Sequence, residues 1–426
     1  MLLKTKELLK NTYGFKDQTI DLYEETIKDI KDQFDHFDEI REFNQIKVLN
    51  AFQEERISDS HFTNSSGYGY DDLGRDSLDK VYARIFKAES CIVRPHFVNG
   101  THAIGSALFG NLRPGDTMLC ASGKPYDTLD SVIGIGVDKK VGSLMEYGVN
   151  HKIVPLTSEN KMDLENVKKV LKEDDSIKLV HMQRSPGYSY RKAFLIEELE
   201  EAIKAIKSVR EDVVIFIDNC YGEFIDTVEP IEIGADLIAG SLIKNIGGGL
   251  APAGGYIAGR EDLVEQASYR MTVPGIGGEC GATFGVMRNM YQGLFLAPHI
   301  AIEALKGALF CARILEKLGY EVLPTSKDKR SDIIQTIKFG NEEKVIKFIK
   351  GIQYGAPIDS FVECEPWDMP GYKDKVIMAA GSFVQGSSIE LSADAPIRPP
   401  YIAYLQGGLT FDHAKIGILM AVNNII

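Results

Sequence analysis

The sequence predicts an α/β protein in which a large domain with a mostly parallel sheet precedes a smaller α+β domain. Its 426 residues exceed the roughly 250–300 at which a single core usually divides, so two packed domains are expected. Between about residues 91 and 275, short β-rich runs alternate with helical or glycine-rich segments, which favours parallel strands covered by helices on both faces. After a long apolar helix near 297–318 the pattern changes, and we place the domain boundary near residue 296.

The N-terminal segment, residues 1–56, is predicted to be a helical arm, followed by the large domain at 57–296 and the small domain at 297–426. Within 16–56, many charges surround apolar residues at helical spacing. These apolar residues are Ile20, Tyr23, Ile27, Ile30, Phe34 and Phe37.

Short apolar runs bounded by turn residues give the predicted strands. Those of the large domain are CIVRPHFV, TMLCAS, SIKLVHMQ, DVVIFIDN, DLIAGS and AGGYIAG. Those of the small domain are EVLP, IIQTIKF, FVECE, VIMAAGSF and SSIELS, with helices near 341–354 and 411–424.

Composition excludes several classes of protein. A hydrophobic fraction of 44% and a charged fraction of 26% are typical of a globular protein. The net charge of −13 argues against a non-specific nucleic-acid surface, which needs clustered Lys and Arg. The six scattered cysteines have no metal-ligand spacing and fit a reduced, cytoplasmic protein. No signal peptide and no membrane span are expected, because no apolar run approaches about 18 residues.

A lysine followed by three glycines is the strongest candidate for chemistry. An apolar strand leads into Ser241, then Lys244, then the glycines of 247–249. Glycines let the backbone approach a ligand closely, and a lysine near an apolar or cationic site can become nucleophilic because its pKa falls below about 10.4. The alternative is an exposed loop lysine, since buried lysines are exceptional.

Asp218 stands at the carboxyl end of the apolar run VVIFID, where ligands of open α/β sheets bind. A carboxylate there needs a cationic partner, such as the protonated ring nitrogen of a cofactor; a charge-assisted bond of this kind is worth roughly 1.5–3 kcal/mol. A helix N-cap or a metal ligand are the alternatives.

Two further segments look like ligand contacts. Gly100, Thr101 and His102 end a strand and begin an apolar helix, so their amide groups and the Thr101 hydroxyl predict an anion site. A Gly-Thr N-cap without a ligand is the alternative. Tyr126 lies in a loop after a strand, where its ring can stack on a planar cofactor or pack in the core.

Taken in order, these residues resemble the cofactor set of fold-type I pyridoxal-phosphate (PLP) enzymes, particularly the cystathionine and methionine lyases. The closest resemblance is to the methionine gamma-lyase-like branch known as aluminium-resistance proteins, over roughly residues 45–426. It is carried by GYGYDDLGRDSLDKVYA, FVNGTHAI, SLIKNIGGGLAPAGGYIAG and LSADAPIRPPYIAYLQGGLT.

The resemblance implies a PLP cofactor and assigns each residue a role. Lys244 matches the Schiff-base lysine and general base, Asp218 the acid that pairs with the pyridinium nitrogen, and Tyr126 the stacking aromatic. The residues that match phosphate contacts are Gly100, Thr101, His102 and Ser241. Tyr68 or Tyr70 lies where this group sends a tyrosine into the neighbouring subunit, which implies a homodimer or homotetramer with shared active sites.

The sequence departs from the group's pattern at two places. No arginine follows Tyr68 or Tyr70 at the usual Tyr-x-Arg spacing, and YIAYLQGG stands where the group supplies its substrate arginine. Arg398 and then Arg184 are the candidates to bind a substrate carboxylate bidentately, with a surface ion pair as the alternative for each.

The resemblance implies a carbon–sulfur lyase that acts on a sulfur amino acid of the cystathionine or methionine type. Its β- or γ-elimination would give a thiol, a 2-oxo acid and ammonia. An aminotransferase, a γ-replacement enzyme or an aldol-type enzyme would use the same cofactor set. A non-catalytic phosphate- or nucleotide-binding protein is disfavoured, because neither GxGxxG nor GxxxxGK[ST] occurs.

Overall fold

The computed structural model of the chain describes residues 2–137, 140–369 and 374–426. The strands of the larger sheet are β1 (Ser90–Arg94), β2 (Thr117–Cys120), β3 (Asn150–Ile153), β4 (Ile177–Gln183), β5 (Val214–Asp218), β6 (Leu237–Ser241) and β7 (Gly255–Gly259). The helices that precede or surround it are α1 (Leu3–Tyr13), α2 (Asp17–Asp29), α3 (Lys31–Glu54), α4 (Leu73–Phe86), α5 (Gly100–Asn111), α6 (Thr128–Ile133), α7 (Leu164–Glu173), α8 (Ile196–Lys207) and α9 (Glu261–Met271).

This larger sheet has the order β1-β7-β6-β5-β4-β2-β3. The pairs from β3 to β6 are parallel, whereas β7 runs antiparallel to both of its neighbours. The predicted, largely parallel sheet is therefore confirmed. Because β4, β5 and β6 run in the same direction, their carboxyl ends meet at one edge, which is where such sheets bind ligands.

Both faces of this sheet are buried. Successive side chains of a strand point to opposite faces. In β5, Phe216 packs in the core that includes α5 and α9, whereas Ile215 and Ile217 pack in the core on the other face. Burial on both faces explains why β5 reads as a continuous apolar run in the sequence.

The remaining elements are α10 (Met287–Lys317), β8 (Glu321–Leu323), β9 (Gln335–Lys338), α11 (Glu342–Tyr354), β10 (Val376–Ala379), β11 (Ser392–Pro396), β12 (Ile402–Gln406) and α12 (Phe411–Ile425). The five strands form an antiparallel sheet of order β10-β11-β12-β9-β8. The predicted small α+β unit is present, and the predicted boundary at residue 296 lies within α10.

Helix α10 is the central core helix. Among the described residues it is the one helix long and apolar enough to cross a membrane by length and composition, and 78% of its apolar window is buried inside the protein. The amphipathic helices predicted for the arm are also present, since α2 and α3 both pack against α10. An ion pair of 2.6 Å joins Lys306 of α10 to Asp38 of α3.

Two predicted strands are wrong. FVECE is irregular, and although Cys364 is buried, Phe361 and Val362 are 84% and 46% exposed. SSIELS is mostly irregular up to residue 391, where the Glu390 carboxylate accepts the backbone N–H groups of Phe383 and Val384 at 2.8 and 2.9 Å. Side-chain-to-backbone bonds therefore replace a strand ladder there. Strands β3, β11 and β12 were not predicted, apart from the one residue, Ser392, that SSIELS shares with β11.

Candidate active site

The carboxyl ends of β4, β5 and β6, the start of α5 and the strands β11 and β12 surround a cavity of about 220 Å³, which we call the inner cavity. Six of the residues singled out from the sequence line it, although they are far apart along the chain. These are Gly100, Thr101, Tyr126, Asp218, Ser241 and Lys244.

Lys244 lies three residues beyond the end of β6, in a tight turn. A Cβ at Gly247 would lie 1.7 Å from the carbonyl oxygen of Leu242, so this turn requires glycine. The Lys244 Nζ lies 4.0 Å from the centroid of the Tyr221 ring. The ring face therefore stabilises the lysine in its charged form.

The pKa of Lys244 depends on opposing effects. Burial lowers the pKa of its ammonium group, but Cys220, Tyr221 and Asp218 outweigh burial and hold the pKa above its ordinary value. Burial also raises the pKa of the Cys220 thiol well above its usual range, so we attribute the effect on Lys244 chiefly to the Asp218 carboxylate. Lys244 is therefore an ammonium ion at neutral pH.

Asp218 ends β5 and is 6% exposed. Its Oδ1 accepts the backbone N–H of Cys220 at 3.1 Å. On the adjacent strand, burial lowers the pKa of His181 to about 4 although Asp218 opposes this, so the imidazole is neutral at neutral pH. Among the described residues, no group of three or more His, Cys, Asp and Glu side chains is arranged to hold a metal ion.

The start of α5 lies beside the end of β6, at the wall of the inner cavity. The Asn99 side chain caps the helix by accepting the His102 N–H at 2.9 Å. A Cβ at Gly100 would lie 3.1 Å from Ser241 Cβ, so the absence of a side chain leaves room next to the Ser241 hydroxyl. The Thr101 Oγ1 lies 2.9 Å from Thr128 Oγ1. Unpaired first-turn N–H groups and two hydroxyls are suited to bind a phosphate.

Tyr126 stands between the inner cavity and a second one of about 360 Å³, which we call the outer cavity. The two cavities share Tyr126, Gln183 and Tyr188. The ring centroids of Tyr126 and Tyr188 are 6.1 Å apart. The two aromatic rings therefore lie at the boundary between the two cavities.

Three predicted cofactor contacts do not line the inner cavity. His102 faces a separate cavity of about 570 Å³, and its Nδ1 accepts the Val98 N–H at 3.1 Å. Burial lowers the pKa of its imidazole. Tyr68 and Tyr70 stack on each other with ring centroids 5.4 Å apart, and their side chains are 70% and 63% exposed. All three remain predictions.

The two candidate arginines lie in different surroundings. Arg398 lines the outer cavity, with its Nη1 2.7 Å from Asp374 Oδ2. Arg184 is fully buried behind the inner cavity and lines neither cavity. Its Nε donates to Ser331 Oγ at 3.0 Å and its Nη1 to Asn219 Oδ1 at 2.9 Å, which joins loops of the two sheets. Its Nη2 is buried and has no hydrogen-bond partner among the described residues.

Comparison with known proteins places the chain in a family. Its sequence matches the family model for methionine gamma-lyase over residues 19–426. The chain belongs to the methionine gamma-lyase family. It is 50% identical over 388 residues to the uncharacterized protein YnbB of Bacillus subtilis (strain 168), which covers 91% of this chain and 92% of that protein.

Solved structures of this family have nearly the same fold. One from Clostridium acetobutylicum, described as a candidate cystathionine beta-lyase involved in aluminum resistance, gives a TM-score of 0.98 at 64% identity over 100% of both chains. The structure of a carbon-sulfur lyase involved in aluminum resistance from Clostridium novyi NT gives a TM-score of 0.97 at 65% identity, again over 100% of both chains.

A more distant structure extends the fold to other PLP enzymes. The pyridoxal-5'-phosphate dependent protein YhfS from Escherichia coli gives a TM-score of 0.60 at 15% identity, covering 90% of this chain and 95% of that chain. This likeness shows the fold alone. Together, the family and the fold confirm the predicted fold type I and the predicted class of PLP-dependent lyase, and they imply PLP as the cofactor of the family.

Sequence reasoning missed the side of the inner cavity that faces the small domain. Strands β11 and β12 contribute Asp394, Tyr404 and Gln406, and loops contribute Tyr188 and Tyr221. Asp394 and Tyr404 are paired across β11 and β12, so they share one face. The alternation of polar and apolar residues along these strands indicates one polar face, but it does not indicate that this face lines a cavity of the larger domain.

Proposed function

We propose that this enzyme is a PLP-dependent carbon–sulfur lyase that releases a thiol from an amino acid of the cystathionine or methionine type. The observation that carries the proposal is the convergence of Lys244, Asp218 and the start of α5 on one cavity. The aluminum-resistance lyases that are 64% and 65% identical to this chain support the same chemistry. The other products of a β- or γ-elimination are a 2-oxo acid and ammonia.

The residues around the inner cavity fit PLP in chemistry. Thr101, Ser241 and the first amides of α5 would hold the phosphate, in the room that Gly100 leaves beside Ser241. Asp218 would pair with the protonated pyridine nitrogen, and Lys244 would hold the aldehyde carbon. When bound, PLP supplies an electron sink for negative charge at the substrate α-carbon.

Lys244 is placed to move the substrate α-proton. An Asp218 carboxylate paired with the pyridine nitrogen would no longer favour the charged form of Lys244, so its amine would be able to accept this proton. The Tyr221 ring 4.0 Å from Nζ would stabilise the ammonium ion that results. A positioned general base of this kind contributes about 10²–10⁴-fold to the rate. Asp218 would meanwhile keep its cationic partner protonated.

We also propose that the site is completed in a homodimer or homotetramer. The stacked rings of Tyr68 and Tyr70 support this arrangement, because they lie outside the inner cavity of their own chain and are exposed to solvent. Exposed aromatic pairs are enriched at subunit interfaces.

Arg398 is proposed to bind the substrate carboxylate from the outer cavity. Its replacement by alanine should leave the visible spectrum of the bound cofactor unchanged and raise the KM for amino acids about tenfold or more, because a charge-assisted pair is lost. Arg398→Lys should restore only part of this loss, since an ammonium cannot form the same fork. Steady-state kinetics of the two variants measure both effects.

A suitable control for this experiment is Arg288→Ala, because the Arg288 side chain is 60% exposed and pairs with Asp59 at 3.3 Å, away from both cavities. Its KM should equal that of the wild type. A normal KM in Arg398→Ala would show that the carboxylate is bound elsewhere.

The proposed reaction is tested by product analysis. The PLP-loaded enzyme is incubated separately with cystathionine, methionine, cysteine and homocysteine, and the thiol or sulfide, 2-oxo acid and ammonia are measured. We expect the three products in equal amounts from at least one of these amino acids. Formation of a 2-oxo acid without ammonia would indicate transamination and contradict the proposal.

A further inference from the structure

The aromatic ring that faces the Lys244 amine is carried by an unfavourable backbone conformation. Tyr221 lies three residues beyond the end of β5 and lines the inner cavity. Its φ is 71°, in the left-handed region that a residue with a side chain rarely adopts. Such a conformation persists only where its surroundings hold it in place. Neighbouring groups must therefore fix the turn at Tyr221.

The side chain of Asn245 fixes this turn. Its Nδ2 donates to the backbone carbonyl oxygens of Tyr221 at 2.9 Å and of Glu223 at 3.1 Å. Asn245 is fully buried, so both bonds are shielded from water. Because Asn245 directly follows Lys244 in the chain, the segment that carries the amine also holds the turn that carries the ring.

The other end of the Tyr221 side chain is held by the small domain. Its hydroxyl donates to Ser388 Oγ at 3.1 Å, and Ser388 lines the inner cavity as well. Asn245 thus fixes the backbone and Ser388 the hydroxyl, with the ring centroid 4.0 Å from Lys244 Nζ. A cation–π contact needs the ring face toward the charge, so it depends on this orientation.

The turn that carries Lys244 does not need the Asn245 side chain for its own shape. Backbone bonds close it, from the Gly247 N–H to the Lys244 carbonyl oxygen at 3.2 Å and from the Gly248 N–H to that of Asn245 at 3.1 Å. The Asn245 amide instead makes its bonds to the turn at Tyr221. A role in orienting the ring is therefore separable from a role in folding the lysine turn.

We propose that Asn245 is a positioning residue that holds the Tyr221 ring against Lys244 and so sets how strongly this lysine holds a proton during turnover. This inference rests on the proposed role of Lys244 as the acceptor of the α-proton. Without the Asn245 amide, the turn relaxes toward an ordinary backbone conformation and the ring moves away from Nζ. The lysine then loses its proton more easily.

Other titratable groups act on Lys244 from the same surroundings. Those on β5 and the residues after it are Asp218, Cys220 and Glu223. Those that line the cavity elsewhere are Tyr126, Tyr188, Asp394 and Tyr404. Asn245 is uncharged, so its replacement by another uncharged residue leaves all of these groups in place. A change in the Lys244 pKa in such a variant therefore reports on the Tyr221 ring.

The test measures the pH at which kcat rises on the acidic side of its profile. A base must lose its proton before it can act, so a lower pKa of Lys244 moves this rise to lower pH. In PLP-loaded Asn245→Ala and in Tyr221→Leu, the midpoint of the rise should move down by about 0.5–1.5 pH units, the value of one cation–π contact. The double variant should move no further than Tyr221→Leu alone, because both substitutions remove the same contact.

The visible absorbance of the PLP-loaded enzyme gives a readout that does not depend on turnover. The Lys244 nitrogen joined to the cofactor also gains and loses a proton, and the midpoint of this spectral change should move down in the same variants. Asn245→Ser keeps one donor and should show a smaller shift, and it carries the comparison if Asn245→Ala does not fold. The matched control Asn166→Ala, at an exposed position of α7, should keep both wild-type midpoints.

Three results would overturn the inference. Both midpoints could stay unchanged in Asn245→Ala. The shifts of the two single variants could add in the double variant, which would show that they act independently. A lower kcat at every pH without any shift would assign Asn245 a structural role alone. A wild-type enzyme that binds no PLP or forms no product would instead contradict the proposed function, and this result appears without any substitution.

Discussion

Replacing Lys244 by alanine should lower turnover by about 10⁴-fold, the upper end of what a general base contributes. The variant loses both the amine that would hold the cofactor aldehyde and the base that takes the α-proton. In the wild-type enzyme the Lys244 Nζ lies inside the inner cavity, 4.0 Å from the Tyr221 ring, so loss of this side chain should leave the packing of β6 in place. Product formation from the best substrate measures the loss.

The control for this prediction is Lys204→Ala, whose side chain is 71% exposed and pairs with Glu200 on α8. It should have wild-type turnover. A primary amine added at high concentration should restore part of the activity of Lys244→Ala. A misfolded variant would regain no activity, so this rescue shows that the fold is intact. Wild-type turnover in Lys244→Ala would contradict the assigned role.

Replacing Asp218 by asparagine should lower kcat by about 10²–10³-fold, the usual cost of losing one preorganised electrostatic stabiliser. The amide has the same shape but no charge, so it cannot keep a ring nitrogen protonated. Asp218 Oδ1 accepts the Cys220 N–H at 3.1 Å, and the amide oxygen of Asn can accept the same bond, so the fold should persist.

The expected pattern in Asp218→Asn is near-normal cofactor content with low kcat, measured by absorbance and product formation on the same sample. Since Asp218 helps to hold the Lys244 pKa above its ordinary value, the substitution should also lower that pKa. A near-normal kcat with full cofactor content would show that catalysis does not need the negative charge of Asp218 beside the ring nitrogen.

The sequence predicts those site residues that stand at the ends of apolar strands. Asp218 and Ser241 close β5 and β6, and Lys244 follows shortly after, so their linear positions place them at the ligand-binding edge of a parallel sheet. The glycine and threonine that begin α5 are predicted because a helix start can bind an anion, and the structure places this start beside β6.

Other features depend on three-dimensional relations that the linear pattern does not contain. His102 follows Thr101 by one residue, yet a helix turns about 100° per residue, and its side chain faces a different cavity. Arg184 reads as a loop arginine, and only its bonds to Ser331 and Asn219 show that it is buried. The position of Asp394 in the inner cavity depends on the pairing of β11 with β12, which the sequence does not specify.

The same limit explains the errors in secondary structure. The polar strand β3 lies at the edge of the larger sheet, where alternating exposure leaves little apolar signal. FVECE has the composition of a strand but no neighbouring strand to complete it. Tertiary context therefore decided both cases against local propensity.

The central claim, that Lys244 holds PLP, is tested most directly by borohydride reduction followed by peptide mapping. The purified enzyme is saturated with PLP, reduced, digested and analysed by mass spectrometry. The account predicts one pyridoxyl group per chain, attached to the peptide that contains Lys244. Labelling of another lysine, or no bound PLP before reduction, would contradict it.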